Sequence, residues 1–125
     1  MGWPRPQGYS NGVEATGRYV AVAGQVGWDP TSCEFPSEDL ADQVAWALRN
    51  VIAVLREAGA EPRHVVRMTW YITDKGSYLA ARRQIGEVYR ATFGRHFPAM
   101  SLIFVTELLE DRAKVEIEAT AVMQD

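Results

Sequence analysis

In the segment KVEIEATAVM, residues 114–123, polar and apolar side chains alternate from Lys114 to Ala121. The apolar side chains share one face of an extended chain: Val115, Ile117, Ala119, Ala121 and Met123. The opposite face is polar and carries Glu116 and Glu118. This period of two is typical of a strand that packs one face on a hydrophobic core. We therefore predict a strand over residues 114–123.

Two amphipathic helices are predicted before this strand. Between Ser37, a suitable N-cap, and Gly59, a suitable C-terminal stop, apolar residues recur at helical spacing. The second helix begins at a cap supplied by Asp74 or Ser77 and ends at Gly94. Both helices have one apolar side, so each is expected to pack against a sheet.

Further extended segments complete the predicted fold. A β-hairpin is predicted between Asn11 and Val26, and single strands over residues 65–73 and 101–105, with Trp70 packing in the core or an interface. The order is β-β-α-β-α-β-β, and each strand–helix–strand step predicts a parallel crossover. The fold class is therefore α+β, a mixed sheet with two helices on one face. The open face favours self-association.

Composition limits the classes of function. At 125 residues, 47% hydrophobic and 23% charged, the chain fits one domain over residues 1–125, with residues 1–8 as an irregular lead-in. The net charge of −3 argues against nucleic acid as a partner. A single Cys33 cannot form an internal disulfide, and no segment resembles a signal peptide or a membrane span. We expect a cytoplasmic protein without membrane association.

Few side chains suggest chemistry on their own. Glu116 and Glu118 leave the same strand face roughly 7 Å apart, as a carboxylate pair that could divide acid and base roles or as two solvated acids. His64 and His96 lie in separate loops with no ligand partners at metal spacing, so no metal is expected. Residues 24–27 are too short for a phosphate-binding loop. No cofactor is predicted.

Several segments, in order along the chain, resemble the RidA/YjgF family. They are Gly8-Tyr9-Ser10, Ala23-Gly24-Gln25, residues 50–59, Pro98-Ala99-Met100-Ser101 and residues 115–119. The fourth segment matches the family's Pro-Ala-Arg-Ser except at one position, and the fifth matches fully. The resemblance implies a chorismate-mutase-like fold and a homotrimer with its sheets inward. It also implies small-molecule sites in the clefts between subunits.

The resemblance also implies an activity. Archetypal members hydrolyse reactive enamines and imines, such as 2-aminoacrylate, to 2-keto acids and ammonia without metal or cofactor. In those members an arginine holds the substrate carboxylate and a glutamate positions the attacking water. The glutamate corresponds to Glu116, the predicted catalytic residue, and a pocket tyrosine corresponds to Tyr9. Gly24 and Ser101 belong to the same implied pocket.

Three positions depart from the family pattern. Met100 replaces the arginine, Ala23 replaces a serine, and Gly86 replaces an asparagine. A methionine cannot form the bidentate pair that a guanidinium makes with a carboxylate, so an altered substrate range is expected. Four other arginines are candidate replacements for the missing one: Arg5, Arg18, Arg67 and Arg112.

Two functions stay open at this point. One is a deaminase-like hydrolase acting on a larger or less charged enamine or imine. The other is a non-catalytic trimer that binds a metabolite or a partner. The family's older designation as endoribonucleases is disfavoured because the chain has no pattern of aromatic and basic surface residues.

Overall fold

The computed structural model describes residues 2–124, which form four strands, two α-helices and a short 3-10 turn. The elements are β1 (Arg18–Val26), α1 (Leu40–Glu57), a 3-10 turn (Pro62–His64), β2 (Val65–Ile72), α2 (Lys75–Phe93), β3 (Ala99–Phe104) and β4 (Val115–Met123). The predicted C-terminal strand and both predicted helices are therefore confirmed, with small shifts at their ends.

The four strands form one mixed sheet in the order β1-β4-β2-β3. β4 is antiparallel to both of its neighbours, and β2 is parallel to β3. The α+β class and the mixed sheet are confirmed. Apolar side chains of α1, such as Val44 and Leu48, are fully buried in the same core cluster as Met68 and Ile117 of the sheet. The helices thus cover the sheet face that carries the apolar side of the alternating strands.

The predicted hairpin is wrong in its first strand: residues 11–16 form no strand. Ser10 instead bonds to the chain entering β3: its backbone N–H donates to the Pro98 carbonyl at 3.0 Å, and its hydroxyl donates to the Phe97 carbonyl. Gly12 interrupts the segment predicted as that strand, and the side chain of Val13 is exposed. The order is therefore β-α-β-α-β-β. Residues 2–8 form no helix or strand, and Met1 lies outside the described residues.

The helix caps differ slightly from the prediction. The N-cap of α1 is Asp39, whose carboxylate accepts a hydrogen bond from the Asp42 N–H at 3.1 Å. Ser37 acts two residues earlier, where its hydroxyl accepts from the Asp39 N–H and donates to Asp42. Asp74, one of the two predicted caps, is the N-cap of α2. Its carboxylate accepts hydrogen bonds from the hydroxyl and backbone N–H of Ser77, which lower the pKa of Asp74.

A buried amide ties α1 to the start of β4. Gln43 is fully buried, and its side-chain nitrogen donates to the carbonyls of Ser37 and Arg112, each at 3.1 Å. Its side-chain oxygen accepts from the Lys114 N–H at 2.8 Å. The Gln43 side chain thus supplies the hydrogen-bond partner of three backbone groups. Along residues 2–124, no helix combines the length and apolar character needed to cross a bilayer.

Candidate functional site

Glu116 lies on the open face of β4 beside an irregularity in β1. The register between β1 and β4 shifts between Val22 and Gln25, so Ala23 and Gly24 form a bulge there. The Glu116 carboxylate lies over Gly24, because a Cβ atom at position 24 would be only 2.2 Å from Oε2 of Glu116. The glycine therefore provides the space that the carboxylate occupies.

The two glutamates of β4 have different surroundings. Glu118 accepts a hydrogen bond from the Tyr71 hydroxyl at 2.9 Å, and this bond is the main reason why the pKa of Tyr71 is raised. The half-buried side chain of Glu116 accepts no hydrogen bond from any other residue between 2 and 124. Of the two predicted carboxylates, only Glu116 is available to hold a water molecule or a ligand.

On the other side of the sheet, a cavity of about 520 Å³ lies between α2, β3 and the N-terminal lead-in. Residues 7–9 form one wall, and α2 contributes Gly86 to another. Met100 and Trp70 line the side formed by the sheet. The structure thus brings together Tyr9, Gly86 and Met100, three of the site residues predicted from the sequence.

Two arginines that the sequence analysis did not select also line this cavity. Arg82 and Arg90 are each four residues from Gly86, so the three positions share one side of α2. A Cβ atom at position 86 would be 3.3 Å from Nη1 of Arg90, which places the guanidinium directly beside the glycine. Neither arginine side chain has a hydrogen bond or ion pair within the described part of the chain. Their helical spacing from Gly86 identifies both arginines only once that side of α2 is known to border the cavity.

The arginines that the sequence analysis did select lie elsewhere. Arg18 donates to the Ala58 carbonyl at 3.4 Å, and Arg112 lies 3.9 Å from a Glu38 carboxylate oxygen. Arg67 lines a separate hollow on the open face of the sheet. None of these three residues lines the cavity with Met100, nor does Arg5.

An aromatic cluster forms the deep side of the cavity. Trp70 is only 3% exposed, and its indole nitrogen has no hydrogen-bond partner among residues 2–124. Its ring lies 6.4 Å from that of Tyr89, which stacks on Phe97 at 5.9 Å. The Tyr89 hydroxyl donates to the His96 carbonyl, and burial raises the pKa of Tyr89 well above its ordinary value. The cavity therefore has a packed aromatic floor.

Glu116 and Met100 do not meet within one subunit. Met100 pairs with the buried Met68 and so points toward the helices, whereas Glu116 points to the open face. β4 and β3 lie on either side of β2, so they are two strand spacings apart. The residue of β4 that pairs with Met68 is Ala119, which is three residues along the strand from Glu116. The Cα atoms of Glu116 and Met100 are therefore roughly 14 Å apart. Ser101 follows Met100 and so points to the open face. The predicted site is thus divided between the two faces of the sheet.

The two parts of the predicted site also lie toward opposite edges of the sheet. Ala23, Gly24 and Glu116 are at β1 and its neighbour β4, while Met100 is on β3, at the other edge. Within residues 2–124, no group of three or more His, Cys, Asp or Glu side chains is arranged to hold a metal ion. His64 accepts the Glu61 N–H in the 3-10 turn, and the ring of His96 is hydrogen-bonded to the Val65 carbonyl.

Comparison with known proteins gives consistent matches over nearly the whole chain. Residues 4–123 match the family model described as endoribonuclease L-PSP. Human 2-iminobutanoate/2-iminopropanoate deaminase is 31% identical over 105 residues, which are 84% of this chain and 73% of the human protein. A conserved Rid-family protein from Yersinia pestis superposes with a TM-score of 0.81 and 36% identity, covering 93% of this chain and 87% of that one. Escherichia coli TdcF, crystallised with bound serine, superposes with a TM-score of 0.74 and 34% identity, covering 96% and 91%.

Proposed function

The chain belongs to the RidA/YjgF family, and we propose from this that it is a cofactor-independent enamine or imine deaminase whose site is completed between subunits. Its human relative is named for the hydrolysis of 2-imino acids, and TdcF holds an amino acid with a free carboxylate. The substrate class we propose is accordingly an enamine or imine that also carries a carboxylate.

The observation that carries this proposal is the unengaged carboxylate of Glu116 above Gly24. A carboxylate in this state can accept a hydrogen bond from water and orient it toward the carbon of a C=N bond. Water adds to that carbon, and a proton moves to the nitrogen. The C–N bond then breaks, so that an imine and water yield a ketone and ammonia. No oxidant, reductant or metal is needed for this balance.

Assembly would join the two parts of the site. Because Glu116 and the Met100 cavity lie on opposite faces and toward opposite edges of one sheet, the open face of one subunit must approach the β3 edge of another to bring them together. The open face carries exposed apolar side chains, including Tyr19 at 66% and Ile103 at 43% exposure, which association would cover. We propose a homotrimer with one site in each cleft between neighbouring subunits.

The methionine at position 100 sets the substrate range in this proposal. It offers no hydrogen-bond donor to a carboxylate on the β3 side of the cavity. A small substrate such as 2-aminoacrylate, whose carboxylate is next to the reacting carbon, therefore loses its anchor beside the water held by Glu116. We expect 2-aminoacrylate, generated in the assay by a dehydratase, to be hydrolysed at least about tenfold more slowly than by a relative with arginine at this position. Met100→Arg should recover part of the rate.

The decisive test compares two isosteric substitutions on one strand. Glu116→Gln removes the carboxylate that holds water and should abolish imine hydrolysis, measured as ammonia release from imino acids generated in the assay. Glu118→Gln alters only the bond to Tyr71 and should retain most of the activity. Light scattering should give three times 14.0 kDa for both variants. Equal activity in the two variants would refute the role of Glu116, and a wild type that releases no ammonia would favour a metabolite-binding trimer without turnover.

A further inference from the structure

We propose that Arg90, together with Arg82, anchors the carboxylate of the ligand in the cavity, and that this ligand has an apolar body larger than that of 2-aminoacrylate. The proposal takes the reacting group, an imine or enamine, from the function proposed above. The anchoring itself is argued from the cavity alone. It relocates the cationic anchor from β3 to α2.

The first support is the close approach between Gly86 and Arg90. A glycine in the interior of a helix is unfavourable, so it usually reflects a need for space. Here the space is taken by the Arg90 guanidinium, since a Cβ atom at position 86 would lie 3.3 Å from Nη1. A side chain as large as asparagine at position 86 would occupy the region that this guanidinium now borders. The changes at Gly86 and Met100 are thus parts of one rearrangement of the anchor.

The second support is the charge of the cavity. Arg82 and Arg90 line it, whereas none of its lining residues within the described chain is an aspartate or glutamate. Neither guanidinium is neutralised by an ion pair within residues 2–124. The chain as a whole has a net charge of −3, so this positive site is a local feature. Two unpaired guanidinium groups on one side of a helix are suited to a carboxylate.

The third support is the size and character of the rest of the cavity. Its volume of about 520 Å³ far exceeds that of the six non-hydrogen atoms of 2-aminoacrylate. Trp70, Phe97, Met100 and Leu102 provide apolar or aromatic surface along it. A carboxylate at the arginines and an aromatic or branched apolar body against these side chains would fill the cavity.

The test is equilibrium binding of phenylpyruvate, an aromatic 2-oxo acid that represents a hydrolysis product of this class. We expect phenylpyruvate to bind more tightly than pyruvate, which lacks the body, and than phenylacetone, which lacks the carboxylate. Arg90→Met should weaken phenylpyruvate binding about tenfold or more, and Arg90→Lys should have an intermediate effect. The control is Arg83→Met on the same helix, because Arg83 is highly exposed, pairs with Glu87 and does not line the cavity. Circular dichroism verifies that each variant is folded.

The outcomes separate this inference from the proposed function. Phenylpyruvate binding that depends on Arg90, in a protein that hydrolyses no imine, would support the anchor and refute the deaminase. Imine hydrolysis at equal rates by the wild type and Arg90→Met would support the deaminase and refute the anchor. Three results would also overturn the inference. The wild type and Arg90→Met could bind phenylpyruvate with equal affinity, the wild type could bind phenylacetone as tightly as phenylpyruvate, or it could fail to bind phenylpyruvate at all.

Discussion

Replacing Gly86 with alanine should stabilise the protein and weaken its ligand binding at the same time. In the interior of α2, alanine is favoured over glycine by about 1 kcal/mol. The new Cβ atom would lie 3.3 Å from Nη1 of Arg90, and the terminal atoms of this flexible side chain need to move only a few tenths of an ångström. The net gain should therefore approach about 1 kcal/mol, which raises the melting temperature by about 3–5 °C for a chain of this length. The displaced guanidinium should reduce phenylpyruvate affinity severalfold.

The control for this prediction is Gly76→Ala in the first turn of α2. A Cβ atom there would meet only the Asp74 carboxylate, at 3.8 Å, and Gly76 does not line the cavity. We expect Gly76→Ala to leave phenylpyruvate affinity unchanged. Melting temperatures are measured by circular dichroism at equal protein concentration, because association makes them concentration-dependent. Unchanged phenylpyruvate affinity of Gly86→Ala would refute the idea that Gly86 is present to make room for Arg90, and a lower melting temperature would refute the expected stabilisation.

Three further predictions address other parts of the molecule. Gly24→Ala should displace the Glu116 carboxylate and reduce imine hydrolysis with little change in melting temperature; full activity would show that the carboxylate position above Gly24 is not needed. Gln43→Leu should lower the free energy of unfolding by about 3 kcal/mol or more, measured in urea, because three backbone groups lose their partner; a loss below about 1 kcal/mol would contradict this. The hydrogen bonds from Ser77 lower the pKa of Asp74, so the stability that the ionised carboxylate contributes is complete above its ordinary pKa of 3.8 and is lost as the pH falls through the lower pKa of the folded state. The free energy of unfolding of Asp74→Asn should therefore fall less than that of the wild type between about pH 5 and about pH 2. Identical pH profiles for the two proteins would contradict this.

The parts of the fold that were predictable have strong local signals. The alternation of β4 and the capped, periodic helices each specify one element without reference to the rest of the chain. The hairpin prediction was wrong because residues 11–15 have too few apolar side chains to indicate which strand this segment would pair with. Ser10 forms its hydrogen bonds with the chain entering β3, which is distant in sequence. Such a choice depends on tertiary contacts and leaves no periodic pattern.

The candidate site was only partly predictable for a related reason. Glu116, Gly24, Tyr9 and Met100 could be selected by resemblance, but sequence order does not reveal which face or edge of a sheet each one occupies. Arg90 was missed because its role depends on a cavity that α2, β3 and the lead-in create together. The helical spacing from Gly86 to Arg82 and Arg90 becomes informative only when that side of α2 is known to border a cavity.

The separation of Glu116 and the arginine-lined cavity on opposite faces of the sheet has a consequence for mixtures of subunits. Suppose that Glu116→Gln and Arg90→Glu each abolish turnover in homogeneous trimers. In the proposed trimer, each cleft draws its glutamate from one subunit and its arginine from the next, so reassembly from equal amounts of the two variants should leave about one cleft in four with both residues intact. Two inactive preparations should thus regain about a quarter of the wild-type activity when mixed and reassembled. If one subunit supplied both residues to its own site, the mixture would remain inactive at every ratio.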